Sequence, residues 1–429
     1  MQSQWARAQA LIAAGRPIEA AAALEQAVDA CRRLSVEDPV FLPDLAFAAQ
    51  QLAQLYADAA DWPRAEPTMR ESVDAYRRLA QADPAGHRSN LALSLSYLSI
   101  FLSRLGQAQS ALPVAQEAVT IYGQLAAAAP EVFQPDFAAT LSDLGNRFSD
   151  LGRFEEALPV ANQALTIRRG LAGRDPVTFR PDLAASLNNV GNLLRAMGRF
   201  DEAVAPSQEA VTIRRPLAET DPATFLGLLS GSLSNLGNVL TEVGRKQEAL
   251  IVTEEAVGYD RRLAASEPAV FLPNLARSLS NLGLRRWEAG LVHAALEPSQ
   301  EALRLRRDLA AASPTVHEGD LSASLNNVCL VLRDLDRIDE ALAAAQEAVA
   351  IRARLSETNP AAYRHHHADS LINLATILSR LGQPAEARAA AQQSVEFYRR
   401  LAESDPIAAA RGLAMASRVL DTIEPVSEP

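Results

Sequence analysis

Residues 183–222 read LAASLNNVGNLLRAMGRFDEAVAPSQEAVTIRRPLAETDP, and close copies of this stretch run along the whole chain. A proline closes each copy, and successive prolines are 45 residues apart once and 46 residues apart thereafter. These prolines are Pro39, Pro84, Pro130, Pro176, Pro222, Pro268, Pro314, Pro360 and Pro406. A fixed period in this range predicts a solenoid of stacked repeats rather than a globular enzyme.

Each copy contains two apolar runs with the spacing of amphipathic helices. In the quoted copy the first run extends from Leu183 to Leu194, and its apolar residues recur every three or four positions. Gly198 follows this run, and glycine ends a helix because it accepts a left-handed backbone. A second run starts at Phe200, and the copy ends before Pro222 because the residue preceding a proline avoids the helical conformation. Each repeat is therefore predicted to be a pair of antiparallel helices.

Two positions of the repeat hold small side chains. The column in the first helix is Gly145, Gly191, Gly237, Gly283, Cys329 and Ala375, and the column in the second helix is Ala157, Ala203, Ala249, Ala295, Ala341 and Ala387. Small side chains at both positions allow the two helices to approach closely. Because Cys329 belongs to the first column, we interpret it as a small buried hydrophobe and not as a nucleophile paired with His317.

The pattern resembles the tetratricopeptide repeat, in which a leucine–glycine doublet in the first helix precedes a turn and an alanine on the packed face of the second. The doublets here are Leu144–Gly145, Val190–Gly191, Leu236–Gly237 and Leu282–Gly283. The 46-residue period exceeds the family's usual length of about 34 residues. We assign the additional residues to longer helices and to a connector such as 176–179.

Among the long-repeat members of this family, the sequence is most similar to the kinesin light chain subtype. The shared features are an LNNL-like first helix and a proline early in the second. They read SLNNV at 186–190 and 324–328, SLSNL at 232–236 and 278–282, and Pro67, Pro113, Pro159, Pro206 and Pro298. The resemblance implies an all-α, right-handed superhelical solenoid whose first helices line the concave surface.

We expect one solenoid over residues 1–423, with helices of about 18–20 residues that each span about 30 Å. Its units are 1–39, 40–84, 85–130, 131–176, 177–222, 223–268, 269–314, 315–360 and 361–406, followed by a terminal helix at 407–423. The first helix of the first unit is predicted at Trp5 to Ala14, and the tail 424–429 is predicted to be disordered. Ala60 and Asp336 occupy the turn position that holds glycine elsewhere.

Composition and charge argue against nucleic-acid binding, a disulfide framework, secretion and membrane insertion. The net charge of −11 argues against nucleic acid as a partner, because phosphates require clustered cations. The two cysteines, Cys31 and Cys329, imply no disulfide framework. Residues 1–15 show no signal peptide, and no stretch approaches the roughly 20 apolar residues of a membrane helix. A cytoplasmic protein without a membrane partner is the expectation.

The sequence contains no motif of an enzyme or a cofactor site: a phosphate-binding glycine loop, a Cys-x-x-Cys pair and a His-Glu-x-x-His pattern are all absent. Adjacent residues of a helix point in different directions, so His365, His366 and His367 are interpreted as a solvated helix start and not as metal ligands. Arginine pairs occur at 168–169, 214–215, 261–262 and 306–307. They suggest either a phosphate-binding ridge or a solvated, salt-bridged face, and the acidic total charge favours the second.

Polar columns on the first helices are the most informative feature for function. The main column is Asp143, Asn189, Asn235, Asn281, Asn327 and Asn373, a second is Asn146, Asn192 and Asn238, and a third combines Asn188 and Asn326 with Ser142, Ser234 and Ser280. Asparagine is unfavourable inside helices because its amide competes for backbone groups, so its recurrence needs a reason. Either the amides hold an extended peptide, or they bond between neighbouring repeats and fix the stacking.

The sequence therefore predicts a non-catalytic scaffold that binds a protein or peptide in a concave groove. Trp287 and Leu284 fall on the same side as Asn281, so the tryptophan is predicted to anchor an apolar ligand side chain. The alternative is a regulatory or sensor module of a bacterial signalling system that acts on a separate protease or ATPase. Self-association through the uncovered terminal repeats stays open.

Overall fold

The computed structural model describes residues 7–8, 10–11, 13–404 and 406–423, and within this part the chain is a series of α-helices without a strand. The helices are α1 (Pro17–Glu37), α2 (Leu42–Asp58), α3 (Trp62–Ala82), α4 (Pro84–Arg104), α5 (Ala108–Ala128), α6 (Pro130–Asp150), α7 (Phe154–Arg174), α8 (Pro176–Ala196), α9 (Phe200–Thr220), α10 (Pro222–Glu242), α11 (Lys246–Ser266), α12 (Pro268–Glu288), α13 (Val292–Ala312), α14 (Pro314–Asp334), α15 (Ile338–Thr358), α16 (Pro360–Arg380), α17 (Pro384–Ser404) and α18 (Pro406–Thr422). A short 3-10 turn, Pro39–Phe41, precedes α2. The predicted all-α solenoid of antiparallel helix pairs is confirmed.

Even-numbered helices from α2 to α16 are the first helices of repeats two to nine, and odd-numbered helices are the second helices. Apart from α2 and α18, which have 17 residues, every described helix has 21 residues. The helices are thus slightly longer than predicted, and each spans about 30 Å. Three residues separate α8 from α9, and the single residue Asp221 separates α9 from α10.

The repeating proline opens a first helix. In α8, Pro176 is the first helical residue, and the carboxylate of Asp175 accepts a hydrogen bond from the Thr178 backbone N–H at 3.2 Å. Proline suits this position because its missing N–H would have no partner inside the helix anyway. The prediction of a connector at 176–179 is therefore wrong: these residues form the first turn of α8.

The turn between the two helices of a repeat uses a left-handed residue. Gly198 has φ +71°, and the Arg199 backbone N–H donates to the Leu194 carbonyl at 2.8 Å. This closes the end of α8 as expected for a glycine stop. Ala60 and Asp336 adopt the same conformation, with φ 56° and 61°, although neither is glycine.

The small columns hold the helices of each pair together. A Cβ added to Gly191 would lie 2.5 Å from the Ser207 Oγ, whereas one added to Gly145 would lie 3.9 Å from the Ala161 Cβ. Glycine is thus required where the facing residue of the second helix has a side-chain hydroxyl. Cys329 is fully buried in this column, so the prediction of a small buried hydrophobe is confirmed. Burial raises the pKa of its thiol to about 12.

The chain divides into two compact units, Met1–Ile213 and Arg214–Pro429. In the first unit the largest fully buried side chains include Leu24, Met69 and Leu95. In the second they include Leu233 and Leu279. Consecutive helices contribute apolar residues to both cores, which are mainly aliphatic and include aromatic side chains such as Phe101 and Tyr398, as the apolar periodicity predicts. A single solenoid over 1–423 stays a prediction.

Several terminal predictions have mixed outcomes. The helix expected at Trp5 to Ala14 lies partly outside the described residues, and the tail 424–429 lies wholly outside them. The terminal helix, predicted at 407–423, spans Pro406–Thr422.

The histidine cluster is only in part the solvated helix start that the sequence suggested: His366 is exposed and His365 is half-buried, whereas His367 is buried. His367 is 5% exposed, and its ring packs against Phe397 with 5.1 Å between ring centroids. Burial lowers the pKa of His367, so the ring is held in its neutral form. In the described part of the chain, no three histidine, cysteine or carboxylate residues are grouped closely enough to hold a metal ion.

Candidate binding surface on the first helices

The predicted asparagines lie on the one strip of α8 that stays partly open between Leu183 and Leu194. Between Leu183 and Leu194, the half-buried residues of α8 are Ala185, Asn188, Asn189 and Asn192, and all other residues of this segment are buried. Their spacing of three and four places them on one face of the helix. The corresponding asparagines of the other first helices are also half-buried, except Asn326, which is 7% exposed.

Some of these amides bond to the first helix of the neighbouring repeat. In the second compact unit, the Asn327 Nδ2 donates to the Ser280 Oγ at 3.0 Å, and the amides of Asn373 and Asn326 lie 3.4 Å apart. With its carbonyl oxygen turned towards α16, Asn326 accepts from the Ser370 Oγ at 2.9 Å. These contacts are the ones that the stacking alternative predicts.

The other columns show the same behaviour near the carboxyl ends of the helices. The Asn238 Oδ1 accepts from the Arg285 Nη2 at 2.8 Å, and the Trp287 Nε1 donates to the Asp334 Oδ2 at 2.7 Å. Trp287 and Leu284 are both half-buried. The polar end of the tryptophan is therefore engaged in stacking, although its ring stays partly accessible.

A second group of amides is not engaged in this way. Within the described residues, no side-chain hydrogen bond is found for Asn146, Asn189, Asn192 or Asn281. Asn146 and Asn189 line a cavity of only about 10 Å³ between α6 and α8. A cavity must offer roughly 10–15 Å³ to the centre of one water, so this one is too small for a ligand side chain. Asn146 also lines a larger cleft between α4 and α6.

Two other asparagines of the columns do interact within the chain. They are Asn188 and Asn235. If the main column holds a peptide, its amides should be free of intramolecular partners, and Asn235 does not meet this expectation.

A cleft of about 530 Å³ between α4 and α6, which the sequence did not reveal as a site, lies on this face of the first compact unit. Ile100, Ser103 and Arg104 from α4 line this cleft. Asp143, Asn146, Arg147, Ser149 and Asp150 from α6 complete its lining. The Arg147 Nη1 donates to the Ser99 carbonyl at 3.2 Å, its Nε lies 3.3 Å from the Asp150 Oδ2, and Asp150 accepts from the Ser103 Oγ at 2.7 Å. The cleft thus has an ordered polar wall.

Asp143 is the unusual residue of this cleft. It is half-buried, and no described residue donates a hydrogen bond to its carboxylate. Burial raises its pKa to about 6, and the charges of Arg147 and Arg168 offset only part of that rise. The sequence did carry a signal, because Asp143 is the carboxylate in a column of asparagines. Arg147 stands where α8 and α10 have Leu193 and Val239, although α12 also has an arginine there, Arg285.

The arginine pairs divide into two roles. The second member pairs with a glutamate on the next second helix: Arg169 with Glu209 at 2.6 Å, and Arg307 with Glu347 at 2.6 Å. These residues are exposed or half-buried, so the prediction of a salt-bridged face is confirmed for this member. The pair 261–262 follows a shifted pattern, because Arg261 occupies this place and bonds Glu301 at 2.5 Å.

The first member is buried, and its prediction as a solvated residue is wrong. Arg168 is 8% exposed and its Nη1 donates to the Ser186 Oγ at 2.7 Å. Arg214 donates to the Leu228 carbonyl at 2.8 Å, and Arg306 to the Asp320 Oδ2 at 2.6 Å. These side chains are enclosed because the second helix of one repeat packs on the first helix of the next, and burial lowers the pKa of each arginine.

No described helix combines the length and the apolar character that crossing a bilayer requires. No curated protein matches the sequence. BtubC (BKLC) from P. vanneervenii is 24% identical over 58% of this chain and 91% of its own, with a TM-score of 0.47. The apo form of RapI is 13% identical over 89% of this chain and 98% of its own, with a TM-score of 0.53.

A third solved structure is a signal transduction ATPase with numerous domains from Pyrococcus horikoshii, which carries a tetratricopeptide repeat sensor. It is 14% identical over 81% of this chain and 49% of its own, with a TM-score of 0.54. Tetratricopeptide repeat family models match residues 1–26, 137–177, 183–220 and 320–400. The matches, the helix pairs and the small-residue columns agree, and the chain contains tetratricopeptide repeats.

Proposed function

We propose that the chain is a non-catalytic scaffold that binds a protein or peptide partner on the half-buried strip of its first helices. The observation that carries this proposal is the unbonded amide group: Asn192 and Asn281 are half-buried and have no side-chain hydrogen bond within the described residues. Each such amide can both donate to and accept from the backbone of an extended peptide. Tetratricopeptide repeats commonly serve as interaction surfaces, which supports this function.

The proposed ligand contacts are not spread evenly over the columns. Asn238, Asn327 and Trp287 already bond to a neighbouring repeat, so their polar groups contribute chiefly to stacking. Asn192 is assigned to a ligand contact within the first compact unit, and Asn281 to one within the second. The exposed part of the Trp287 ring is assigned an apolar contact with the same partner.

The alternative function is a regulatory or sensor module that acts on a separate effector. Its support is the shared fold with RapI and with the sensor-bearing ATPase, at 13% and 14% identity. Both functions use a protein partner, and they differ in whether partner binding changes an effector's activity.

Two matched variants test the scaffold proposal. The first combines Asn192→Ala with Asn281→Ala, and the control combines Gln116→Ala with Gln208→Ala, which removes two exposed amides from second helices. A partner captured from the native cell is purified and titrated against the original chain and both variants. We expect the first variant to lose about 1–2 kcal/mol per contact residue while the control binds normally.

Equal affinity of the original chain and both variants for the purified partner would contradict this placement of the surface. A thermal melt of each variant shows whether lost binding reflects lost folding. Because alanine is the better helix former, the melting temperature of the first variant should hold or rise.

A further inference from the structure

The first helices carry a ladder of amides that one repeat interrupts. The Asn327 amide donates to Ser280 of the preceding first helix at 3.0 Å. The corresponding pair one hundred and eighty-four residues earlier is Asp143 and Ser96. The Ser96 hydroxyl donates to the Ala92 carbonyl at 3.0 Å, and an ionised carboxylate has no proton to donate. Asp143 therefore cannot make the ladder bond that Asn327 makes.

The cations around Asp143 are held by other groups. Arg147 donates to the Ser99 carbonyl and lies 3.3 Å from the Asp150 carboxylate. The Arg104 guanidinium lies over the Trp62 ring, 5.8 Å from its centroid, and Arg168 donates to Ser186. None of these donors forms a hydrogen bond with Asp143. A partly buried carboxylate without a donor costs free energy, and a donor from outside the chain would remove that cost.

We propose that the cleft between α4 and α6 binds a lysine side chain of the polypeptide partner, whose ammonium donates to the Asp143 carboxylate. This inference rests on the proposed function and names one chemical feature of its partner. Ile100 lines the same cleft and provides an apolar contact for the methylene stem of the lysine. The volume of about 530 Å³ accommodates such a side chain.

Two features of the cleft select lysine over other side chains. A compact ammonium suits a single carboxylate, whereas arginine prefers a planar, two-point contact. An acidic ligand side chain would meet Asp143 and Asp150. Of the two arginines that line the cleft, Arg147 is already bonded to the chain and Arg104 lies over the Trp62 ring. The charge of the lysine would also lower the pKa of Asp143 from its present value of about 6.

The test uses the purified full chain and three acetylated, amidated heptapeptides, Gly-Ser-Gly-X-Gly-Ser-Gly, in which X is lysine, norleucine or glutamate. Binding is measured from the change in the carboxyl ¹³C chemical shift of Asp143. The same resonance, followed over a range of pH, gives the pKa of Asp143, whose charged neighbours are Arg104, Arg147, Asp150 and Arg168. We expect the lysine peptide to bind at least about tenfold more tightly than the norleucine peptide and to lower the pKa of Asp143. The glutamate peptide should bind more weakly still.

Two variants complete the experiment, read by the affinity of the lysine peptide. Asp143→Asn should weaken it by about tenfold or more, whereas Asp201→Asn, an exposed carboxylate on α9, should leave it unchanged. Equal affinity for the lysine and norleucine peptides, or full affinity in Asp143→Asn, would overturn the inference. Because the titration needs no native partner, this failure is distinct from failure of the scaffold proposal, which the capture of a partner decides.

Discussion

At the scale of single residues, the helix pairs fit by complementary size rather than by one fixed residue. Gly283 faces Ser299 so closely that an added Cβ would collide with its hydroxyl, while Gly145 faces Ala161 with room to spare. Cys329 occupies the same column and is fully buried. The side chain in the first-helix column is therefore limited in size by the residue that faces it on the second helix. A larger residue at one of the two positions requires a smaller residue at the other.

Gly283→Ala should destabilise the protein by about 1–3 kcal/mol because the new methyl group overlaps the Ser299 side chain. Gly145→Ala is the matched control, and it should be neutral or stabilising by up to about 1 kcal/mol, since alanine favours the helix. Adding Ser299→Ala to Gly283→Ala should restore most of the lost stability. Chemical denaturation of the four chains measures the coupling, and purely additive effects would show that the contact is not responsible.

Asp143 makes stability depend on pH in the direction opposite to an ion-paired carboxylate. Its folded pKa of about 6 lies above its ordinary value of 3.8, so the folded state binds the proton more tightly. Stability from this group is therefore present at low pH and is lost as pH rises from about 4 to 6. A tenfold change in an acid constant corresponds to about 1.4 kcal/mol, which gives a penalty of about 1–3 kcal/mol at neutral pH.

Asp143→Asn should accordingly raise the melting temperature at pH 7.5 and change it little at pH 4. The difference between the variant and the original chain isolates this group from the other carboxylates, which titrate in both proteins. A difference that stays constant from pH 4 to 7.5 would mean that the Asp143 carboxyl is not destabilised by burial.

At the scale of elements, the sequence predicted the helix pairs well because their ends carry distinct residues. Gly198 and its counterparts mark the end of each first helix, and the repeating proline marks the start of the next. The error at 176–179 arose because a proline before an apolar residue resembles a loop, whereas proline also suits the first helical turn. The periodic pattern fixes which residues are apolar, but the exact start depends on the cap at Asp175.

Asp336 and Ala60 test the turn, since both adopt a left-handed backbone that costs side-chain-bearing residues about 1–2 kcal/mol. Asp336→Gly should raise stability by about 0.5–1 kcal/mol, and Ala60→Gly by a similar or larger amount. The reverse change, Gly198→Ala, should lower stability, because Gly198 has φ +71°. If Asp336→Gly and Ala60→Gly do not melt at higher temperature than the original chain, or Gly198→Ala does not melt at lower temperature, the left-handed turn residue does not limit stability.

At the scale of the whole molecule, the candidate surface was less predictable than the fold. The sequence located the strip, because one position is polar in the first helix of each repeat from the fourth to the ninth. It left open which amides bond between repeats, since that depends on the partner residue of the neighbouring helix. Ser280 accepts from Asn327, for example, while no described residue bonds the Asn281 amide. The buried arginines were missed for the same reason, because arginine beside arginine resembles a solvated face until both neighbours are placed.

The two kinds of amide give a direct test of stacking against ligand binding. Asn327 and Asn281 lie in the same column of the second compact unit and are both half-buried, so replacement by alanine changes helix propensity equally. Asn327→Ala also removes the bond to Ser280, which should make it less stable than Asn281→Ala by about 1 kcal/mol. Thermal melts of the two variants measure this difference, and a titration with the captured partner should show the larger loss of affinity for Asn281→Ala. Identical melting curves would show that the 3.0 Å bond between Asn327 and Ser280 does not stabilise the stacking. An undiminished affinity of Asn281→Ala for the partner would show that Asn281 does not contact the ligand.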